Sequence, residues 1–143
     1  MEQNSPEEVA TEVRDALTRL NRRLRQVRPL GELTQTQLSA LTSLELAGRL
    51  TPTELAEIER VQPPTMTRIV AKLEEQGLVE RTPHPTDGRQ SFLSATKRGR
   101  EVFVEQHRAK DAWLTRRLAT LTAEQRATLR IAAELLRKAA REE

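Results

Sequence analysis

The residues best suited to chemistry lie at the start of a predicted helix, residues 62–76. At roughly 100° per residue, its apolar side chains share one arc that we expect to be buried: Met66, Ile69, Val70 and Leu73. Threonine can bond a base or a phosphate, and arginine can bind guanine through two hydrogen bonds. The outer face therefore predicts contact with double-stranded DNA, through Gln62, Pro64, Thr65, Thr67, Arg68 and Lys72. A solvated helix face is the alternative interpretation.

The loop at residues 83–90 offers a second cationic contact. It holds the turn signal Asp87-Gly88 between two short β-like runs, 78–82 and 91–95, so the pattern predicts a two-stranded hairpin. Arginine at a hairpin tip suits a narrow minor groove, where the negative potential is strongest. We expect Arg89 to take that role and Asp87 to hold its side chain, although a plain solvent-exposed loop has the same pattern.

Three helices are predicted to precede and position these residues. The first spans 6–28 and is stopped by Pro29-Leu30-Gly31. Capping boxes, in which a threonine is followed three residues later by Gln or Glu, open the second helix at Thr34 and the third at Thr51. The second ends before Gly48, and the third runs to about Glu59 with Leu55 and Ile58 buried. Gly77 is expected to end helix 62–76.

Long amphipathic helices are predicted at both ends of the chain, at 6–28, 97–119 and 122–141. The first carries apolar residues at three- and four-residue steps: Val9, Val13, Leu17, Leu20, Leu24 and Val27. The last has a similar stripe: Leu129, Ala132, Leu136 and Ala139. So small a central module cannot cover these stripes, so we expect a homodimer, with packing inside one chain as the alternative.

Composition narrows the function classes. Hydrophobic residues make up 36%, aromatic residues 2% and charged residues 31%, with a net charge of +3. Residues 61–100 carry seven Lys and Arg against four Asp and Glu, an excess that attracts phosphate. The absence of cysteine excludes disulfides and zinc–thiolate sites. With no signal peptide and no long apolar run, we expect a soluble, cytoplasmic protein with no membrane partner.

Enzymatic chemistry finds little support in the sequence. There is no Ser-His-Asp set and no glycine-rich phosphate loop, so we expect no enzyme and no cofactor. The two histidines, His84 and His107, are the only candidates for a metal site besides carboxylates, and they lie far apart in the sequence. A winged-helix architectural or protein-interaction module without operator specificity is the main alternative to a regulator.

The central part of the chain resembles the MarR (multiple antibiotic resistance regulator) family. The matching stretches are Leu55-Ala56, Val61 to Val70, Leu73 to Arg81, Pro85 to Arg89, Leu93 to Thr96 and Gly99-Arg100. Two positions depart from the family pattern: Gly88 replaces the middle arginine of Asp-Arg-Arg, and Pro64 replaces a serine.

The resemblance implies a mainly α fold with a small β-hairpin wing, a winged helix-turn-helix at 34–96, and helical dimerisation regions at 1–33 and 97–143. It implies a homodimeric transcriptional regulator that binds a pseudo-palindromic operator. We expect it to act as a repressor by occluding a promoter, although the sequence leaves activation open as the alternative. Helix 62–76 would enter the major groove and wing 83–90 the minor groove. We expect DNA-backbone contacts from Thr36, Gln37, Lys72 and Arg81. Many relatives also release DNA on binding a small aromatic compound, so such an effector is a further expectation.

Overall fold

A computed structural model of the protein describes residues 3–27 and 33–141. In chain order, the described elements are α1 (Pro6–Gln26), α2 (Gln35–Ala47), α3 (Pro52–Glu59), α4 (Pro63–Glu75), β1 (Val79–Pro83), β2 (Ser91–Ala95), α5 (Lys97–Leu118) and α6 (Ala123–Ala139). The predicted order of four helices, a hairpin and two helices is confirmed, as is the mainly α fold class with a small hairpin wing. The predicted stop at Pro29-Leu30-Gly31 lies outside the described residues.

Local sequence signals set the helix ends. The capping boxes predicted at Thr34 and Thr51 are both formed, and each threonine hydroxyl accepts a hydrogen bond from the backbone amide three residues on. Helix α4 ends just before Gly77, whose φ of +72° lies in the left-handed region that glycine adopts without strain. The Gly77 amide donates to the Glu74 carbonyl at 2.9 Å. These ends determine the lengths of α3 and α4, a short helix followed directly by a longer one.

One apolar core joins α2, α3, α4 and the hairpin. Its most fully buried side chains are Leu41, Leu44, Leu55, Met66, Val70, Leu73 and Leu93. The prediction that Ile58 is buried was wrong, because that side chain is 55% exposed. Leu55 and Ala56 take the inward arc of α3 instead. Ile58 lies roughly 110° around the helix from the middle of that arc, which turns it toward solvent.

The two strands form an antiparallel hairpin in which Val79 pairs with Ala95 and Pro83 with Ser91. Leu50, between α2 and α3, extends this ladder. Its amide donates to the Leu93 carbonyl at 3.0 Å, and the Leu93 amide donates to the Leu50 carbonyl at 2.7 Å. These two bonds tie the base of the hairpin to the chain segment that leads into α3.

The described residues fall into two compact units. One comprises residues up to Val27 together with those from Lys110 onward, and the other comprises the residues between, up to Ala109. The second unit holds α2, α3, α4 and the hairpin, and α5 begins in it and ends in the first. Neither α1 nor α6 has a buried residue. Within the described ranges, no helix is both long enough and apolar enough to span a bilayer.

Candidate nucleic-acid interface

The buried side of α4 is the arc that the sequence predicted. Met66, Val70 and Leu73 are buried, and Ile69 is partly buried against the same core. Gln62 precedes the helix as its N-cap, yet its side chain makes no capping hydrogen bond. Because the core fixes the inner face, the orientation of the opposite face is fixed as well.

The outer face of α4 presents small polar groups and one arginine to solvent. Pro64, Thr67 and Arg68 are exposed, and Thr65 is half-buried. The Thr67 hydroxyl donates to the Pro63 carbonyl at 2.9 Å, so toward a ligand it can act as an acceptor or through its methyl group. Arg68 has no hydrogen-bond or ion-pair partner among the described residues, so all five of its donors are available.

Two further basic residues of the predicted interface have acidic partners. Lys72 Nζ lies 3.5 Å from Glu75 Oε2, and both side chains are well exposed. Arg81 is held more firmly: its Nε donates to Glu74 Oε1 at 3.0 Å and its Nη1 to Ser91 Oγ at 3.4 Å. Arg81 thus links the end of α4 to β2, whereas Lys72 remains able to turn toward a phosphate at little cost.

Thr36 and Gln37 lie in the first turn of α2. The Gln37 side-chain oxygen accepts from the Thr34 amide at 3.2 Å, completing the capping box. Its amide nitrogen remains as the group that can donate to a phosphate. Thr36 is exposed, and its hydroxyl lies 3.1 Å from that of Thr34. Thr36 therefore offers an exposed hydroxyl, whereas Gln37 is half-buried and takes part in the capping box.

The wing loop differs from the expectation in one contact. Asp87 was expected to hold the Arg89 side chain, but its Oδ1 accepts from the Arg89 backbone amide at 3.0 Å. The two-residue separation explains this, because an aspartate side chain in a turn reaches the amide two residues on. Arg89 is exposed, with no side-chain partner among the residues described. The carboxylate therefore shapes the loop and leaves the guanidinium free.

Sequence reasoning missed a group of side chains at the base of the wing. Arg49 Cζ lies 4.2 Å from the centroid of the Phe92 ring, and the His84 ring stacks on Phe92 with centroids 4.6 Å apart. The Leu50–Leu93 pairing brings Arg49 to Phe92, and no local spacing signals that contact. A rare phenylalanine at a strand position was the one available hint.

The two histidine rings each lie against a phenylalanine, and the second pair is Phe103 and His107, 4.2 Å apart. Among the described residues there is no group of three side chains that could hold a metal ion. Near the wing, the pKa of the Glu54 carboxyl is lowered, chiefly by hydrogen bonds from the backbone and hydroxyl of Thr51.

Comparison with known proteins gives consistent matches. The sequence profile of the MarR family matches residues 33–91. An HTH-type transcriptional regulator of Mycobacterium bovis is 44% identical over 133 residues, which cover 93% of each chain. The multiple antibiotic resistance protein MarR of Salmonella typhimurium is 33% identical over 99 residues, covering 68% of this chain and 69% of that one. The crystal structure of wild-type MarR from E. coli matches 98% of this chain and 100% of its own, with a TM-score of 0.72 and 28% identity.

Proposed function

The chain belongs to the MarR family of transcriptional regulators, and from that premise we propose that it represses transcription by binding a pseudo-palindromic operator as a homodimer. The family and the relatives are regulators and not enzymes. In this proposal α4 enters the major groove and the wing reaches the adjacent minor groove. Repression follows because a dimer that spans both half-sites occludes the promoter.

The observation that carries the DNA-binding proposal is the free state of two arginines on one compact unit. Arg68 on α4 and Arg89 on the wing are both exposed, and neither has a side-chain partner among the described residues. A bidentate arginine–guanine contact discriminates between bases by about 1–3 kcal/mol, and arginine in a narrow minor groove adds shape readout. We assign base readout to Thr65, Thr67 and Arg68, and minor-groove anchoring to Arg89. Gln62 and Pro64 are proposed as further DNA contacts at the start of the same helix.

Contacts with the phosphate backbone complete the proposed interface. Lys72 supplies a flexible cation, and Thr36 and Gln37 supply polar atoms at the start of α2. Arg81 already pairs with Glu74, so its contribution to binding is smaller than that of a free arginine. Asp87 acts through the loop, because its carboxylate positions the Arg89 backbone.

The dimer proposal rests on apolar side chains that the chain itself leaves uncovered. On α1, Val9, Leu17 and Leu20 are 42%, 46% and 39% exposed. On α6, Leu129 and Leu136 of the predicted stripe are 44% and 37% exposed, and Ile131 and Leu135 beside it are each 61% exposed. Exposed apolar stripes on two long helices of one unit favour burial against a second copy. We propose that the regions 1–33 and 97–143 dimerise and that 34–96 binds DNA.

Selection of bound fragments from random duplexes tests the function directly. A two-fold symmetric motif, with its half-sites about one helical turn apart, is the expected result. The matched variant Arg89→Ala should bind the selected operator more weakly than the parent, and unchanged affinity would remove the wing from the interface. If no motif emerges and scrambled duplexes bind equally well at fixed salt, the protein is an architectural module instead.

Sedimentation equilibrium tests the dimer separately. Leu17→Lys places a charge on the apolar stripe of α1 and should shift the mass toward that of a monomer. Thr11→Lys introduces the same side chain about 120° around the helix from Leu17 and about 160° from Val9, and it should leave the mass unchanged. A parent that sediments as a monomer would contradict the dimer without touching the DNA-binding proposal.

Release by a small aromatic effector and a cytoplasmic location both stay predictions from the sequence. The effector is tested by adding phenolic compounds to the operator complex.

A further inference from the structure

The ring of His84 closes the wing loop from inside. Its Nδ1 lies 3.2 Å from the backbone amide nitrogen of Thr86 and 3.1 Å from that of Asp87, and both amides donate to it. A ring nitrogen that accepts from two amides carries no proton, so we assign the neutral imidazole with its proton on Nε2. The Thr86 hydroxyl, 3.3 Å from Nδ1, can donate to the same nitrogen. The loop conformation is thus tied to one protonation state of one side chain.

A relay of bonds carries that constraint to the exposed arginine. The Asp87 carboxylate accepts from the Arg89 amide at 3.0 Å, and the Gln90 amide donates to the Asp87 carbonyl at 3.1 Å. The bond from its amide to His84 thus holds Asp87 in position, and the Asp87 carboxylate in turn holds the Arg89 backbone. If the bond at Nδ1 is lost, the first member of this relay is released.

The His84 ring is itself held in place by stacking on Phe92. His84 is half-buried against Phe92, with an interplanar angle of 26°. Phe92 is in turn contacted by Arg49 from the segment between α2 and α3. Through Phe92 and Arg49, the His84 ring packs against the compact unit that also contains α4. The position of the loop relative to the outer face of α4 therefore depends on this packing.

We infer, on the premise that the chain binds operator DNA as proposed above, that His84 is a positioning residue whose neutral ring latches the wing and whose protonation releases it. The charged groups facing His84 are Arg49 behind Phe92, Glu54 on α3 and Asp87 in the loop. Because imidazole titrates between about pH 5 and 8, the latch responds to ordinary changes of acidity.

Electrostatics alone predicts a stronger affinity in acid and an unchanged preference for the operator. A protonated His84 adds one positive charge beside the DNA, which strengthens binding to every duplex. The latch instead predicts that the preference for the operator over a scrambled duplex falls in acid, because an unfixed loop no longer presents Arg89 in one position. The ratio of the two affinities therefore separates the explanations, whereas the operator affinity alone does not.

The test measures that ratio at about pH 5 and about pH 8 and constant ionic strength, with the full chain and the selected operator. In the parent the ratio should fall about fivefold in acid. This is the change expected from the loss of one neutral hydrogen bond, because the two amides share the single lone pair of Nδ1. His84→Asn places an oxygen where Nδ1 lies, so its ratio should stay high at both pH values. His84→Gln places the acceptor at the Nε2 position, so its ratio should be low at both.

His107→Gln is the matched control, since it removes the only other histidine. This variant should keep the pH dependence of the parent. A ratio that does not change with pH in the parent, or one that still changes in His84→Asn, would overturn the latch.

A measurement without DNA keeps this inference separate from the proposed function. In NMR spectra of the free protein, the amide protons of Thr86 and Asp87 should shift with the same midpoint as the His84 ring. If His84 titrates while these two amides stay unmoved, the latch is wrong even if the operator is bound. If they move together but no operator is found, the latch stands and the proposed function fails.

Discussion

Substitution of Gly99 by alanine is expected to destabilise the protein, although alanine is the better helix former. Gly99 lies buried in the first turn of α5. A Cβ atom there would sit 2.1 Å from the backbone oxygen of Leu78 and 3.1 Å from its carbonyl carbon. Carbon and oxygen in contact are ordinarily about 3.3 Å or more apart. Because the Cβ is fixed to the helix backbone and the Leu78 oxygen and carbon are backbone atoms, no side-chain rotation can relieve the overlap.

The magnitude follows from opposing terms. Replacing glycine by alanine in a helix favours folding by about 1 kcal/mol. Overpacking costs about 1–3 kcal/mol or more, and moving the Leu78 carbonyl also weakens the hydrogen bond it accepts from the Thr96 amide, 3.0 Å away, worth about 1 kcal/mol. The net loss is therefore about 1–3 kcal/mol.

Thermal unfolding at fixed protein concentration measures this effect. The loss corresponds to a fall in Tm of several degrees, at roughly 3 °C or more per kcal/mol for a chain of this size. Gly88→Ala is the matched control, because a Cβ there meets nothing within 4 Å and its φ is not in the left-handed region. That variant should be unchanged or slightly more stable. A Gly99→Ala protein as stable as Gly88→Ala would refute the close approach of α5 to the backbone of Leu78.

Four further substitutions probe the interface and the caps. Arg68→Ala should relax sequence preference at one base pair by about 1–3 kcal/mol, whereas Lys72→Ala should weaken binding to all duplexes alike; competition binding distinguishes the two. Gly88→Arg should tighten binding to every duplex and steepen the slope of log K against log salt by about 0.9, as salt titrations would show. The pKa of Glu54 is lowered chiefly by its hydrogen bonds from Thr51, so the stability that this carboxylate contributes is present above its unfolded pKa and lost as the pH falls through its folded one. Denaturant unfolding should therefore show Glu54→Gln weaker than the parent near neutrality and equal to it in acid.

The sequence was sufficient wherever the signal is local. Capping boxes involve residues three apart, and the stop at Gly77 needs one residue with free backbone dihedrals, so α2, α3 and α4 could be placed from the sequence. The buried arc of α4 follows from helical periodicity in the same way. Ile58 marks the limit, because in a helix of 8 residues a three-residue step alone does not identify which side faces the core.

The tertiary structure decided what depends on residues far apart in the chain. Periodicity predicted that Arg68 is exposed and turn chemistry predicted the loop, but neither indicated that Arg81 is engaged by Glu74 or that Asp87 holds a backbone amide. The stack of Arg49, Phe92 and His84 depends on the pairing of Leu50 with Leu93, a contact between segments more than forty residues apart. Capping hydrogen bonds and helical periodicity depend on residues close together in the sequence. Packing and ion pairing depend on residues that only the tertiary fold brings together.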